Sequence, residues 1–168
     1  AWNPLLQFEL VGNGHNDVFL WSRLTGSIGL VSVANGGAQG NAPSLEAELS
    51  ADGRYVVFAS QSDGLSAEDD DRHTGIFVRD RVAGVTLRLT QTADGQEADG
   101  ASDNPSIDDE GLAVVVQTNA RNLVDGLQSS ATSQVVVFSL RLGTLSGVSV
   151  PGRVQAGVTN IADAGASI

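Results

Sequence analysis

Apolar residues along this chain come in short runs of Val, Ile, Leu and Phe, each closed by Gly, Asn, Asp or Ser, and nowhere at a sustained helical spacing. Runs of that length and composition predict β-strands. Residues 54–60 follow Ala51-Asp52-Gly53, and a type I′ or related tight turn at Asp-Gly makes a hairpin with a strand ending near Ser50. Residues 112–118 repeat the arrangement after Glu110-Gly111. Aromatic-marked strands are expected at 17–23, 75–81 and 134–141. The turns Thr25-Gly26, Ala83-Gly84 and Gly143-Thr144 then lead into strands at 28–33, 86–91 and 147–150.

These strands recur with a period of about 59 residues, almost three times, which marks an array of supersecondary units. Phe19, Phe77 and Val137 stand at matching points of their segments, with Arg23, Arg81 and Arg141 each four residues further on. Each unit reads as four antiparallel strands, with a longer excursion between the second and third. Four strands per unit describe a propeller blade; a β-sandwich needs about seven per domain, more than this period holds. The expected fold class is therefore all-β, a partial β-propeller. Residues 1–42 form a partial first blade, 43–104 a second, 105–156 a third and 157–168 the first strand of a further or trans-completed blade.

Leu49-Ser50-Ala51-Asp52-Gly53-Arg54-Tyr55-Val56-Val57-Phe58-Ala59-Ser60, Asn13-Gly14-His15-Asn16-Asp17-Val18-Phe19 and Ile76-Phe77-Val78-Arg79-Asp80-Arg81 resemble the TolB-like (WD40-like) β-propeller repeats of bacterial exported proteins. The resemblance covers nearly the whole chain. It implies a periplasmic, cell-surface or secreted setting, and it is specific for fold rather than for activity, because such propellers serve as scaffolds, binding modules and appendages to enzymes. Aligned this way, Ala1-Trp2-Asn3-Pro4 matches Ala120-Arg121-Asn122-Leu123, just after the second strand of a blade, and Ile168 falls within a first strand. Two explanations stand for such ends: a longer chain, or completion in trans by strand addition between copies.

Charge narrows the partners. Nine Arg, no Lys and twenty acidic residues give a formal charge of -11, which repels nucleic-acid backbones and anionic membranes. Without Cys there is no disulfide or thiolate chemistry, and no apolar run approaches the roughly 20 residues of a transmembrane segment. The partner expected is another protein or other copies of this chain.

Chemistry-bearing motifs are few. The family's acidic loop resembles a calcium site, since hard cations take several oxygens from one short loop. Asp69 and Asp71 match its first positions and Asn13 and Asp17 its later ones, yet no copy is complete: Arg72 and Gly75 depart in one, Val11 in another, and the third, around Asp125 to Gln134, has lost the spacing. Calcium is thus the one cofactor candidate, against a solvated acidic loop. His15 and His73 mark corresponding blade edges without the second ligand that zinc requires. No nucleophile elbow occurs, and Asp108-Asp109 falls in a hairpin turn rather than in a carboxylate pair for acid–base work. Arg23, Arg81 and Arg141 are expected to be structural, bonding carbonyls or a carboxylate between blades. Trp21 shares a strand face with Phe19 and is assigned to the inter-blade core, whereas Trp2, beside Pro4, is a candidate partner contact with His73.

The function expected is a non-catalytic binding or assembly module whose surface is built from the long loops at 61–74 and 119–133. A structural subunit completed by strand exchange, a calcium-stabilised adhesion module and an accessory domain of an enzyme are the alternatives.

Overall fold

The computed structural model describes residues 13–66, 73–124 and 133–141, together with the backbone of 144–147 and 158–160. Among them every regular element is a strand, and all pairings are antiparallel. Strands β1 (Phe19–Trp21) and β2 (Ile28–Leu30) form a two-stranded sheet. Strands β3 (Ser44–Leu49), β4 (Tyr55–Ser60), β5 (Gly75–Asp80) and β6 (Val85–Arg88) form a four-stranded sheet in chain order. Strands β7 (Ser102–Ile107), β8 (Ala113–Thr118), β9 (Gln134–Ser139) and β10 (Thr144–Gly147) repeat it, and β11 (Val158–Asn160) adds a fifth strand beside β10. This is the architecture of consecutive propeller blades, an all-β partial propeller. No helix among the described residues is long and apolar enough to cross a membrane.

Local chemistry explains the hairpins. In the β3–β4 turn Gly53 has φ +72° and Asp52 does not share the left-handed conformation. The turn is therefore not type I′, which needs positive φ at both central residues, but the related form closed by one left-handed glycine. Gly53 N donates to Ser50 O at 2.9 Å and Ser50 N to Tyr55 O at 3.0 Å. The Asp52 carboxylate accepts from Arg54 N at 2.9 Å and from Ser50 Oγ at 2.7 Å. Asp108 does the same work before β8, accepting from Leu112 N and Ala113 N, which assigns the Asp108-Asp109 pair to a turn.

Between blades the strands interlock. Ser44 N donates to Asn16 O, and the equivalent Ser102 N to Thr74 O. Both β4 and β5 are sandwiched between neighbours, so they read as continuous apolar runs rather than alternating ones. Val56, Phe58 and Phe77 pack with Val18, Val31 and Leu65 toward the first sheet. Val57, Ala59, Ile76 and Val78 pack with Ile107, Val114, Val116, Val136 and Phe138 toward the third. Each of these Val, Leu, Ile and Phe side chains contributes about 1.5–3 kcal/mol on burial.

The third blade departs from the sequence reading in two ways. Its outer strand runs over Thr144–Gly147 rather than 147–150, because Thr144 pairs directly with Ser139 and the turn is complete before it. Its β9 is also shifted. Phe77 lies opposite Phe58, and the residue opposite the matching Val116 is Val136, not Val137. The backbone bond Arg81 N to Arg54 O recurs as Leu140 N to Leu112 O. Leu140 therefore stands where Arg81 stands, and Arg141 lies one residue beyond the equivalence expected for it. The connection between β8 and β9 is one residue longer than that between β4 and β5, and a slip of one exchanges the faces of a strand.

Candidate functional site

An opening lies between the first two sheets. It is a groove of about 560 Å³ lined by residues 15–19 of the β1 strand and its approach and by residues 44–47 of β3. Strand β1 has a single strand neighbour among the described residues, β2. Its counterpart β5 has two, and the difference shows in matched side chains. Phe77 is 1% exposed and stacks on its cross-strand partner Phe58, ring centroids 5.8 Å apart. Phe19, at the same position of the first sheet, is 37% exposed and borders the groove. Trp21, expected in the inter-blade core, is 60% exposed. Its counterpart in the second blade is the half-buried Arg79, whose Nη1 donates to Thr86 Oγ1 at 3.0 Å, so this point of the blade is not a core position in either sheet.

Across the next junction the same region is closed by a polar latch. Strands β3 and β7 each carry a β-bulge, and the bulge residues Glu46 (φ +53°) and Asn104 (φ +49°) are both left-handed. A left-handed bulge turns backbone amides out of the ladder. Asn104 N then donates to Glu46 Oε2 at 2.8 Å, and Ile107 N donates to Glu48 Oε2 at 2.8 Å. Two carboxylates spaced two apart on one inner strand thus satisfy two amides of the next, through charge-assisted bonds.

Asn13 and Asp17, expected as calcium ligands, are brought together but engaged internally. Asp17 Oδ1 accepts from Ser32 Oγ at 2.8 Å and Oδ2 from Gln39 Nε2 at 2.7 Å, with Asn13 Nδ2 at 3.4 Å. Asn13 also donates to Gly40 O at 2.7 Å. The carboxylate ties a loop to its sheet. Among the described residues no three acidic or histidine side chains gather as a metal would need. Asp69, Asp71 and Trp2 lie outside the described residues. His15 is exposed on the groove, and His73, in the corresponding place, is half-buried.

The arginines divide. Arg81 donates through Nη1 to Gly53 O, within its own blade rather than between blades. Arg23 is exposed at the β1–β2 turn, and Arg141 is exposed beyond β9. The carboxylate pairing expected of these residues belongs instead to Arg54, whose Nε and Nη2 both reach Asp80, at 3.1 and 2.6 Å from Oδ2. Hydrogen bonding from Arg54 is the main reason the Asp80 carboxyl is held below its ordinary value, helped by Ala83 N and Val82 N and opposed by burial. A second pair joins the buried Arg88 to the half-buried Glu97, the guanidinium lying 5.6 Å from the Phe77 ring centroid.

Sequence reading missed Glu46, Glu48, Arg88 and Glu97. The signal for the first two is the alternation Leu-Glu-Ala-Glu-Leu, which puts both glutamates on one face of the strand, and for the others it is the absence of a side chain at Gly75, over which the Arg88 guanidinium lies.

No protein-family model and no curated protein matches the sequence. Among solved structures the chain is similar to the tricorn protease, with 14% identity and a TM-score of 0.46 over 74% of this chain. It spans 12% of the length of that protein.

Proposed function

We propose that this chain is a non-catalytic β-propeller module for protein binding or assembly, of the TolB-like kind and in a bacterial extracytoplasmic setting. The observation that carries the reading is the flank of β1: a groove of about 560 Å³ beside a strand that has a single strand neighbour among the described residues, bordered by Phe19 and His15. An unpaired strand edge is a template for strand addition, with main-chain bonds supplying affinity and alternate side chains supplying specificity. The motif from Leu49 to Ser60 supports the family, and the acidic surface, at a formal charge of -11, supports a protein partner over nucleic acid. The partner is either another protein or another copy of this chain completing the blade in trans.

Mass measurement under non-denaturing conditions tests this directly. Multimers of the 17.3 kDa chain, or a complex captured at the β1 flank and lost on Phe19→Asp, are expected. A chain that stays monomeric and whose β1 amides exchange freely in the presence of every candidate partner would overturn it.

A further inference from the structure

Two clefts at equivalent places in consecutive blade junctions are built differently, one small and mostly apolar, the other wider and cationic. Phe77, Arg79 and Arg81 share one face of β5 and its extension, and Phe77 packs toward the first sheet. By register, their counterparts at the next junction are Val136, Phe138 and Leu140, all buried against the second sheet. The cleft beside Leu140 is narrowed to about 70 Å³, with Tyr55, Leu87 and the Arg54–Asp80 pair in its lining. The cleft beside Arg79 and Arg81 measures about 260 Å³. Two replacements distinguish its other wall. Gly29 stands where Leu87 stands, and a Cβ at Gly29 would meet nothing within 4 Å. Ser22 stands where Asp80 stands, so the lining holds two guanidinium groups and no carboxylate. Both guanidinium groups are anchored: Arg79 Nη1 donates to Thr86 Oγ1 at 3.0 Å, and Arg81 Nη1 donates to Gly53 O. Each bond uses one of five N–H donors. The acids beside them in sequence, Asp52 and Asp80, both bond Arg54. Ser22 Oγ accepts from Thr25 N at 3.3 Å, which keeps its own proton for a ligand. Burial disfavours the charge on Arg79, a cost that a bound anion offsets.

We propose that this cleft binds a phosphate monoester dianion, held by Arg79, Arg81 and Ser22. One bidentate guanidinium already satisfies a carboxylate, whereas a dianion with three terminal oxygens matches two guanidinium groups in charge and has an oxygen left for the Ser22 hydroxyl. Leu20 and Ile28 line the same cleft and meet the carbon skeleton that carries the phosphate. Charges more than about 8 Å away are screened at physiological ionic strength, so the two arginines set the local field within a chain of formal charge -11. That same overall charge repels a long polyanion such as nucleic acid. A phosphorylated side chain of another protein and a small phosphate ester share the recognised chemistry. The site goes beyond the assembly reading and does not depend on it, because one chain carries the whole cleft.

The full chain is titrated with inorganic phosphate at about pH 7.5 and constant ionic strength while the arginine Nε–H resonances are followed by NMR. Phenyl phosphate and a phosphoserine peptide are parallel probes, and acetate is the control. Two variants keep both arginines: Gly29→Leu fills the cleft as Leu87 fills its counterpart, and Ser22→Asp installs the carboxylate that Asp80 supplies there. Saturable shifts at Arg79 and Arg81 are expected, with binding at least tenfold weaker in each variant, for acetate, and at about pH 5, where phosphate is a monoanion. Either ester binding more tightly than inorganic phosphate supports the site, and the tighter of the two identifies the source of the phosphate. Shifts that follow ionic strength alone, or binding undiminished in both variants, overturn the site. Acetate binding as tightly as phosphate overturns the dianion.

Discussion

The guanidinium of Arg88 occupies the space in front of Gly75, so closely that a Cβ on that glycine would lie 2.8 Å from Arg88 Nη2. One blade earlier the matching positions are Asp17 and Leu30, and the residue matching Glu97 is Gln39. Both blades hold one carboxylate against the end of a strand, but from opposite sides: Asp17 on the strand bonds Gln39, and Glu97 on the connection bonds Arg88.

This exchange predicts strong coupling. Arg88→Leu alone removes the guanidinium from the half-buried Glu97 and should cost about 3 kcal/mol, and Gly75→Asp alone should be destabilising by crowding Arg88. The triple variant G75D/R88L/E97Q recreates the first blade's arrangement and should recover most of that loss. Urea unfolding of the singles and the triple measures it; simple additivity would refute the exchange.

The Arg54–Asp80 pair predicts acid sensitivity. Bonding from Arg54 lowers the folded-state pKa of Asp80 below its unfolded value of about 3.9. Its contribution is therefore fully present above that unfolded pKa and is lost as pH falls through the lower folded one. Asp80→Asn should flatten the fall in melting temperature between about pH 4 and pH 2, and should also weaken the turn held through Val82 N and Ala83 N. Thermal melts across that range compare the two proteins.

The shifted register of β9 predicts unequal neighbours. Leu140 is buried in the core shared by the second and third blades, so Leu140→Ala should cost about 2–5 kcal/mol. Arg141, exposed, should tolerate alanine within about 0.5 kcal/mol. If the two arginines were equivalent, Arg141→Ala and Arg81→Ala would instead cost alike in denaturant titrations.

The left-handed bulge predicts a steric rule. Asn104 tolerates φ +49° where a β-branched residue does not, so Asn104→Val should destabilise by about 1–2 kcal/mol. Glu48→Gln should be milder, about 1 kcal/mol, since a neutral acceptor for Ile107 N remains. Equilibrium unfolding of both variants checks the order.

Much of this architecture was legible in local sequence. Asp52-Gly53 and Glu110-Gly111 announce hairpins because a turn chemistry fixes them, and the strands around Val56 and Val114 follow at the expected distance. What sequence obscured were effects of spacing and neighbourhood. The arginine marker aligned Arg141 with Arg81, but a marker on a turn does not report strand register, which hydrogen bonding with β8 decides. Trp21 looked like core because it shares a face with Phe19, yet in the structure both aromatics are exposed. Asn13 and Asp17 looked like ligands because an oxygen-rich loop is ambiguous until its donors are located, and here Ser32 and Gln39 supply them.

Units of the same topology repeated in one chain carry a folding hazard, since any unit's strands can begin to pair with the wrong neighbour. The asymmetry between Glu46-x-Glu48 on β3 and Asn104-x-Ser106 on β7 works against it. A mispaired intermediate in which β7 stood in for β3 would leave a bulge's outward amides facing an amide and a hydroxyl instead of two carboxylates. Two side chains thus favour the native order of the blades, independently of the peptide bonds that connect them.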